Sequence, residues 1–292
     1  MRYWQVLAMT DMDEVMVLAR HAEELGFEGI TLADHLITFR EQYESYPESE
    51  DAVIRWYPQT HWPDPWVMFG ALSQVTTRLK FITSIFVVPM RDPFTIAKAV
   101  STAARLSNDR VILGVGIGWQ ESEFRLVDRS FRDRGARTDE MIDVIRLLMS
   151  GDMVEYHGRF HDFPALQMAP GPHRPVPIWI GGYSEAALRR AARNDGWVGS
   201  MHDMAQLRHA MQRLREERTA LGKGMDDFGT TLTLIGAGTG NADPEPLFLE
   251  AAELGVTSIY RDAWLDERGR ASVLTLDEKL ADMERFASRF LR

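Results

Sequence analysis

Apolar residues in this chain gather in short consecutive runs, and between the runs they recur every three or four positions. The first pattern predicts buried β-strands and the second predicts amphipathic helices. YWQVLAM, starting at Tyr3, reads as a strand, and DMDEVMVLARHAEELG reads as a helix with Leu18, Ala22 and Leu25 on one face and Gly26 as its stop. The alternation then repeats. GITLA leads, after an insertion, to a helix opened by Asp64 and Pro65, and LKFITSIFVV leads to one opened by Asp92 and Pro93. Both are start signals, because the Asp side chain accepts a backbone N–H and Pro presets φ in the first turn. RVILGVG, VPIWIGG, GWVGS, GTTLTLIGAG and VTSIY each precede a further helical stretch, the last one opened by the capping box Thr275 to Glu278. Strands that are apolar on consecutive positions and separated by helices belong to a parallel sheet covered on both faces. Eight such units with nothing left over predict an α/β fold, a closed (β/α)8 TIM barrel in one domain of residues 1–292, rather than an open doubly wound sheet.

Two connections are too long to be simple links. Residues 36–63 interrupt the second unit, and residues 151–175 interrupt the fourth, between its strand and the fifth. The first carries Tyr43, Tyr46, Trp56, Tyr57 and Trp62, more rings than a surface excursion leaves in water, so it reads as a lid over the carboxyl ends of the strands. Composition then narrows the function. With 33 basic and 43 acidic residues the net charge is −10, which opposes binding to nucleic acid or an anionic membrane. The absence of cysteine excludes disulfides, thiolate metal sites and a cysteine nucleophile. No segment has the pattern of an export signal, and no apolar run approaches the ~20 residues of a membrane span, so a cytoplasmic location is expected.

The candidate chemistry centres on RVILGVGIGWQESEF, residues 110–124. A dinucleotide fingerprint needs G-x-G-x-x-G in the first strand–helix turn. Here Gly114, Gly116 and Gly118 are spaced G-x-G-x-G on the fourth strand, and Trp119 stands where a helix would begin, so that reading fails. Two readings stay open: missing side chains let something flat approach the backbone, or small residues fit a tapering barrel. At the fifth strand Gly181, Gly182, Tyr183 and Ser184 lead into a helix whose first N–H groups form an anion site, unless Ser184 is only a cap. Asp34 and His35 end the second strand, and a histidine there suits general acid or base work. As metal ligands they are poorly supported, since no strand carries His-x-His and the close pair His157 and His161 flanks Gly158.

These segments together, with TSIFVVPMRDPFTIAKAVSTAARLSNDR at the third strand and RGARTDEMIDVI behind the glycines, resemble the bacterial luciferase-like oxidoreductases, most closely the branch that uses the deazaflavin coenzyme F420. The resemblance runs from residue 1 to about residue 265. It implies a coenzyme at the carboxyl rim, contacted by Asp34, Thr83, Ser84, Ile85, Gly116, Trp119, Gly181, Gly182, Tyr183 and Ser184, with His35 beside the reacting carbon as the catalytic residue. It also implies a non-prolyl cis peptide at Ser84–Ile85. Relatives that oxidise alcohols or sugar phosphates carry a glutamate where this chain has Trp119, which argues against alcohol dehydrogenation. Ile117 stands where FMN-using relatives hold phosphate with an arginine, which favours F420 over FMN. Glu121 and Glu123 read as ordinary acids of a helix start. Arg125, Arg129, Arg132, Arg134 and Arg137 read either as a solvated helix face or as contacts for the oligoglutamate tail of the deazaflavin. The expected activity is F420-dependent hydride transfer to or from a small organic substrate. The alternatives are an FMN-dependent monooxygenase supplied by a partner reductase and a non-catalytic flavin-binding barrel. A homodimer is implied by the resemblance, and no nucleic acid, membrane or metal partner is expected.

Overall fold

A computed structural model describes residues 1–43, 54, 56–57, 59–201, 203–234, 243–261, 264 and 274–291. The lid residue Tyr46 lies outside the described residues. In chain order the strands are β1 (Arg2–Val6), β2 (Gly29–Leu32), β3 (Lys80–Thr83), β4 (Phe86–Val87), β5 (Val111–Gly116), β6 (Met153–His157), β7 (Asp162–Gln167), β8 (Ile178–Gly181), β9 (Gly196–Met201), β10 (Gly229–Leu234) and β11 (Ser258–Arg261). The α-helices are α1 (Met12–Leu25), α2 (Pro65–Leu72), α3 (Pro93–Ser107), α4 (Glu121–Leu126), α5 (Arg134–Met149), α6 (Glu185–Arg193), α7 (Met204–Ala220), α8 (Glu245–Glu253) and α9 (Leu276–Phe290).

Apart from β6 and β7, every strand pairs in parallel with its neighbours. β1 lies between β2 and β11, and the ring closes where β3 meets β5 through Phe81 opposite Val111 and Ile82 opposite Ile112. The expected barrel is therefore closed, and the open sheet is excluded. The caps are those the sequence announces. Asp64 accepts from the amides of Trp66 and Val67, Asp92 accepts from that of Thr95, and Thr275 and Glu278 form a reciprocal box.

Inside the barrel Trp4, Val6, Ile82, Ile112, Trp179, Val198 and Tyr260 pack into one plug. Outside it, Leu18, Phe69, Val100, Ile145, Leu188 and Leu214 bring the helices onto the strands. Two details depart from the sequence reading. The helix after the glycines is two helices, because Asp128 turns the chain at φ 53° between α4 and α5. The insertion 151–175 forms the antiparallel hairpin β6–β7. It lies between α5 and β8, so it sits at the amino end of the barrel strands, away from the carboxyl rim. Glu140 of α5 holds the hairpin tip by accepting from the amides of Arg159, Phe160 and His161.

Candidate functional site

The third strand of the sequence reading is split, and the split shapes the rim. β3 ends at Thr83, the chain leaves the ladder at Ser84 and Ile85 through a cis peptide bond, and β4 resumes at Phe86. The Thr83 hydroxyl donates to the Gly114 carbonyl at 2.8 Å and accepts the Gly114 amide at 2.9 Å, which fixes the take-off point. The Ser84 amide donates to the Leu32 carbonyl at 2.7 Å. Ile85 then lays its side chain across two neighbouring strands. A Cβ on Gly116 would overlap the Ile85 side chain, and one on Gly181 would sit 2.8 Å from Ile85 Cγ2. A Cβ on Gly114 would overlap the Thr83 carbonyl, and one on Gly118, at φ 75°, would sit 2.7 Å from both Phe124 and Val87. The space these glycines leave is thus filled by the chain itself, and what faces outward is a half-buried shelf at Ser84 and Ile85.

Asp34 is buried and fully engaged. Arg91 donates to its two oxygens at 2.8 and 2.9 Å, and the Val87 amide donates at 2.9 Å. The Arg91 guanidinium also lies 4.2 Å above the Phe86 ring. Asp34 therefore ties the end of β2 to the segment following the shelf. His35, one residue on in the loop after β2, faces the lid instead. Its ring lies 4.7 Å from those of both Trp56 and Trp62. Removal from water lowers its pKa from 6.5 to about 4, against the opposing attraction of Asp34, so the imidazole is neutral at physiological pH. It makes no hydrogen bond among the described residues. Beside it the indole N–H of Trp62 is buried and also without an acceptor.

The described part of the lid rests on the strand-five loop. Trp56 and Ile54 pack with Met9, Trp62 and Trp119. The Trp56 indole donates to the Thr38 hydroxyl at 3.2 Å, and Gln42 accepts the Phe39 amide at 2.6 Å while donating to Gln120 at 2.9 Å. Glu123, which the sequence presents as an ordinary acid of a helix start, is buried. Its Oε1 accepts the amides of Leu36 and Ile37 at 3.2 and 3.4 Å. Burial raises its pKa, partly offset by those amides. Glu121, two residues earlier, is exposed, and nothing in the spacing of so short a helix tells the two apart. Arg91 was likewise unread, although a buried strand-end aspartate requires a cation somewhere.

At β8, Gly182 takes φ 113° and Ser184 caps α6 by accepting the Ala187 amide at 3.2 Å. Tyr183 packs edge-on against Trp197, whose indole donates to the Gly182 carbonyl at 2.9 Å. The Ser184 hydroxyl is thus spent on its own helix, while among the described residues nothing accepts from the amides of Glu185 and Ala186. The Glu185 carboxylate is drawn aside by His209 and Arg213. Of the arginine cluster, Arg134 donates to the carbonyls of Gly118 and Phe131 and Arg137 pairs with Asp133, whereas Arg125, Arg129 and Arg132 are exposed. Among the described residues no group of three or more His, Asp or Glu side chains is placed to hold a metal ion, and no helix is long and apolar enough to cross a membrane.

An uncharacterised protein of Mycobacterium tuberculosis is 38% identical over 220 residues, covering 74% of this chain and 76% of that protein. An F420-dependent glucose-6-phosphate dehydrogenase of Amycolatopsis mediterranei is 28% identical over 228 residues, covering 76% of this chain and 64% of the dehydrogenase. The crystal structure of monooxygenase RslO1 from Streptomyces bottropensis superposes with a TM-score of 0.76 at 18% identity, covering 100% of this chain and 99% of that one, a likeness of fold. The model of one family matches residues 4–237, from the first barrel strand past the end of β10 and through every rim residue described above. The chain belongs to the luciferase-like monooxygenase family.

Proposed function

We propose that the protein is an F420-dependent oxidoreductase that passes a hydride between the deazaflavin and a small organic substrate held under the lid. The observation that carries this reading is the adjacency of a flat apolar shelf and an anion site. Ile85 lies against Gly181, and Gly181 leads within four residues to the first-turn amides of Glu185 and Ala186, for which the described residues supply no acceptor. A planar ring carrying a phosphate side chain matches that pair of features, the amides taking the phosphate without a lysine or arginine. Ile117 leaves that position of the strand-five loop without an arginine for an FMN phosphate, and the relative named as an F420-dependent dehydrogenase supports the same choice.

When bound, F420 supplies a two-electron carrier that takes or gives a hydride. The proton that accompanies it falls to His35. Asp34 is locked to Arg91, Glu123 is committed to two backbone amides, and Trp119 cannot exchange a proton. The neutral imidazole accepts a proton as the substrate loses its hydride and returns it in the reverse direction. The Trp62 N–H beside it offers a donor to a substrate oxygen or nitrogen, and Trp56 and Trp62 exclude water from the exchange.

Titration of the purified protein with F420 and, separately, with FMN, each oxidised and reduced, tests the reading through coenzyme absorbance and fluorescence. Saturable F420 binding is expected. The family description favours one competing reading, an FMN-dependent monooxygenase fed by a reductase. Saturation by FMN alone would establish that in place of ours, and binding of neither would leave a barrel without this chemistry.

A further inference from the structure

We infer that Glu123 is a positioning residue for His35: it latches the chain segment that follows the histidine and so keeps the imidazole dry between Trp56 and Trp62. The latch is built from two connected paths. Along the backbone, the Glu123 carboxylate accepts the amides of Leu36 and Ile37, the two residues directly after His35. Through side chains, the same fastened segment carries Thr38, which accepts the Trp56 indole N–H, and the Trp56 ring packs on His35. A second fastening further along, Gln42 to Gln120, joins the segment to the residue just ahead of α4. Both anchors thus come from α4 and its N-cap residue, just after β5, and both hold the segment that follows β2.

The placement of the carboxylate has a cost that a merely decorative contact would not justify. Glu123 is a buried acid, and desolvating a carboxylate is unfavourable unless its oxygens are satisfied. Its two partners are amides of a loop that has no other acceptor for them among the described residues, one of them on the exposed residue Leu36. Removing the carboxylate would leave those amides to water and free residues 36–38 to move. His35 would then gain hydration from the same side.

The catalytic meaning of the latch rests on the proposed role of His35, but its test does not require the coenzyme. The imidazole is titrated by NMR in the coenzyme-free protein, in the wild type, Glu123→Ala and Glu123→Gln. In the wild type His35 is expected to titrate near pH 4 and the Leu36 and Ile37 amides to exchange slowly. In Glu123→Ala the His35 midpoint is expected to move at least one pH unit toward 6.5 and both amides to exchange at least tenfold faster. In Glu123→Gln, whose amide oxygen still accepts, both readouts are expected to stay close to wild type. A folded Glu123→Ala protein with His35 still near pH 4 would overturn the latch. If the alanine variant does not fold, the glutamine variant decides: release of His35 there, or rapid Leu36 and Ile37 exchange in the wild type, overturns it equally. Should F420 bind, Glu123→Ala is further expected to lower kcat at least tenfold with coenzyme Kd changed less than twofold. Failure of F420 to bind would leave the NMR result standing.

Discussion

His35 loses its water to two indoles, and that loss decides which proton it can hold. Its folded pKa is about 4 against 6.5 for an ordinary imidazole, so between those values the unfolded chain binds a proton that the native one refuses. Unfolding free energy therefore rises with pH across that window and falls as the solution is acidified from 6.5 to 4, by at most about 3 kcal/mol at 1.36 kcal/mol per pKa unit. Urea midpoints measured from pH 4 to 7 should show this slope in the wild type and lose most of it in His35→Asn; an unchanged slope would place the titrating group elsewhere. The same substitution should leave coenzyme affinity nearly intact and lower turnover by about 10²-fold or more. Glu23 adds a slope of the same sign in a more acidic window, but for the opposite reason: the fold favours its charged form rather than its neutral one. Burial would raise its pKa, but the amides of Arg78, Thr77 and Leu79 and the Thr77 hydroxyl together hold the carboxyl at about 2. Its contribution is complete above pH 4.5 and disappears as pH falls through 2. After allowance for its partial exposure to solvent, Glu23→Gln should cost about 1–2 kcal/mol at neutral pH in urea unfolding, with no such deficit near pH 2.

At the scale of elements, the rim is a junction where β5 and β8 give up side chains so that the β3–β4 break can use the space. The glycine spacing raised two possibilities, a flat ligand or a tapering barrel, and the occupant is the chain's own Ile85. That could not be read from the sequence, because Ile85 lies in the β3–β4 break while its partners Gly116 and Gly181 lie on β5 and β8. Helix starts were legible for the opposite reason: Asp64, Asp92 and Thr275 act on amides two or three residues away. His35 and the lid aromatics were also visible as unusual residues in unusual places. Glu123 was not, since whether an acid on a six-residue helix is buried depends on what the second strand's loop does 87 positions away. The Ile85 seat makes a prediction of its own. Gly116→Ala should destabilise by about 1–3 kcal/mol through overlap with Ile85, and should be close to neutral in an Ile85→Ala background. Equal costs in the two backgrounds, read from urea midpoints, would mean that Gly116 is required by something other than that side chain.

For the whole molecule, the alternation of strand and helix was sufficient to give the closed barrel, because a ring of eight parallel strands is the arrangement that buries eight apolar runs under eight helices. The hairpin β6–β7 escaped that logic, since its strands bury little beyond Phe163 and add nothing to the ring. Closure depends on the two ends of the chain. β1 pairs with β11, Lys279 of α9 reaches Glu14 of α1, and Arg261 of β11 pairs with Asp282 of α9. Around these contacts Phe286 gathers Tyr3 at 5.3 Å, Phe27 at 5.8 Å, Phe248 at 6.4 Å and Phe290 at 4.8 Å, rings drawn from the first strand, the link after the first helix and the last two helices. The matched family segment ends at residue 237, before β11 and α9, yet without these two elements β1 and β10 would face a gap in the sheet. Phe286→Ala removes the ring that touches both termini and should cost about 2–4 kcal/mol, less than for a fully buried phenylalanine because Phe286 keeps some exposure. Since the cluster joins helices outside the sheet and contributes nothing to the rim, the variant should lower the urea midpoint while the protein that remains folded keeps wild-type affinity for F420. Loss of coenzyme binding in fully folded Phe286→Ala would instead mean that the final helix shapes the carboxyl rim as well as closing the ring.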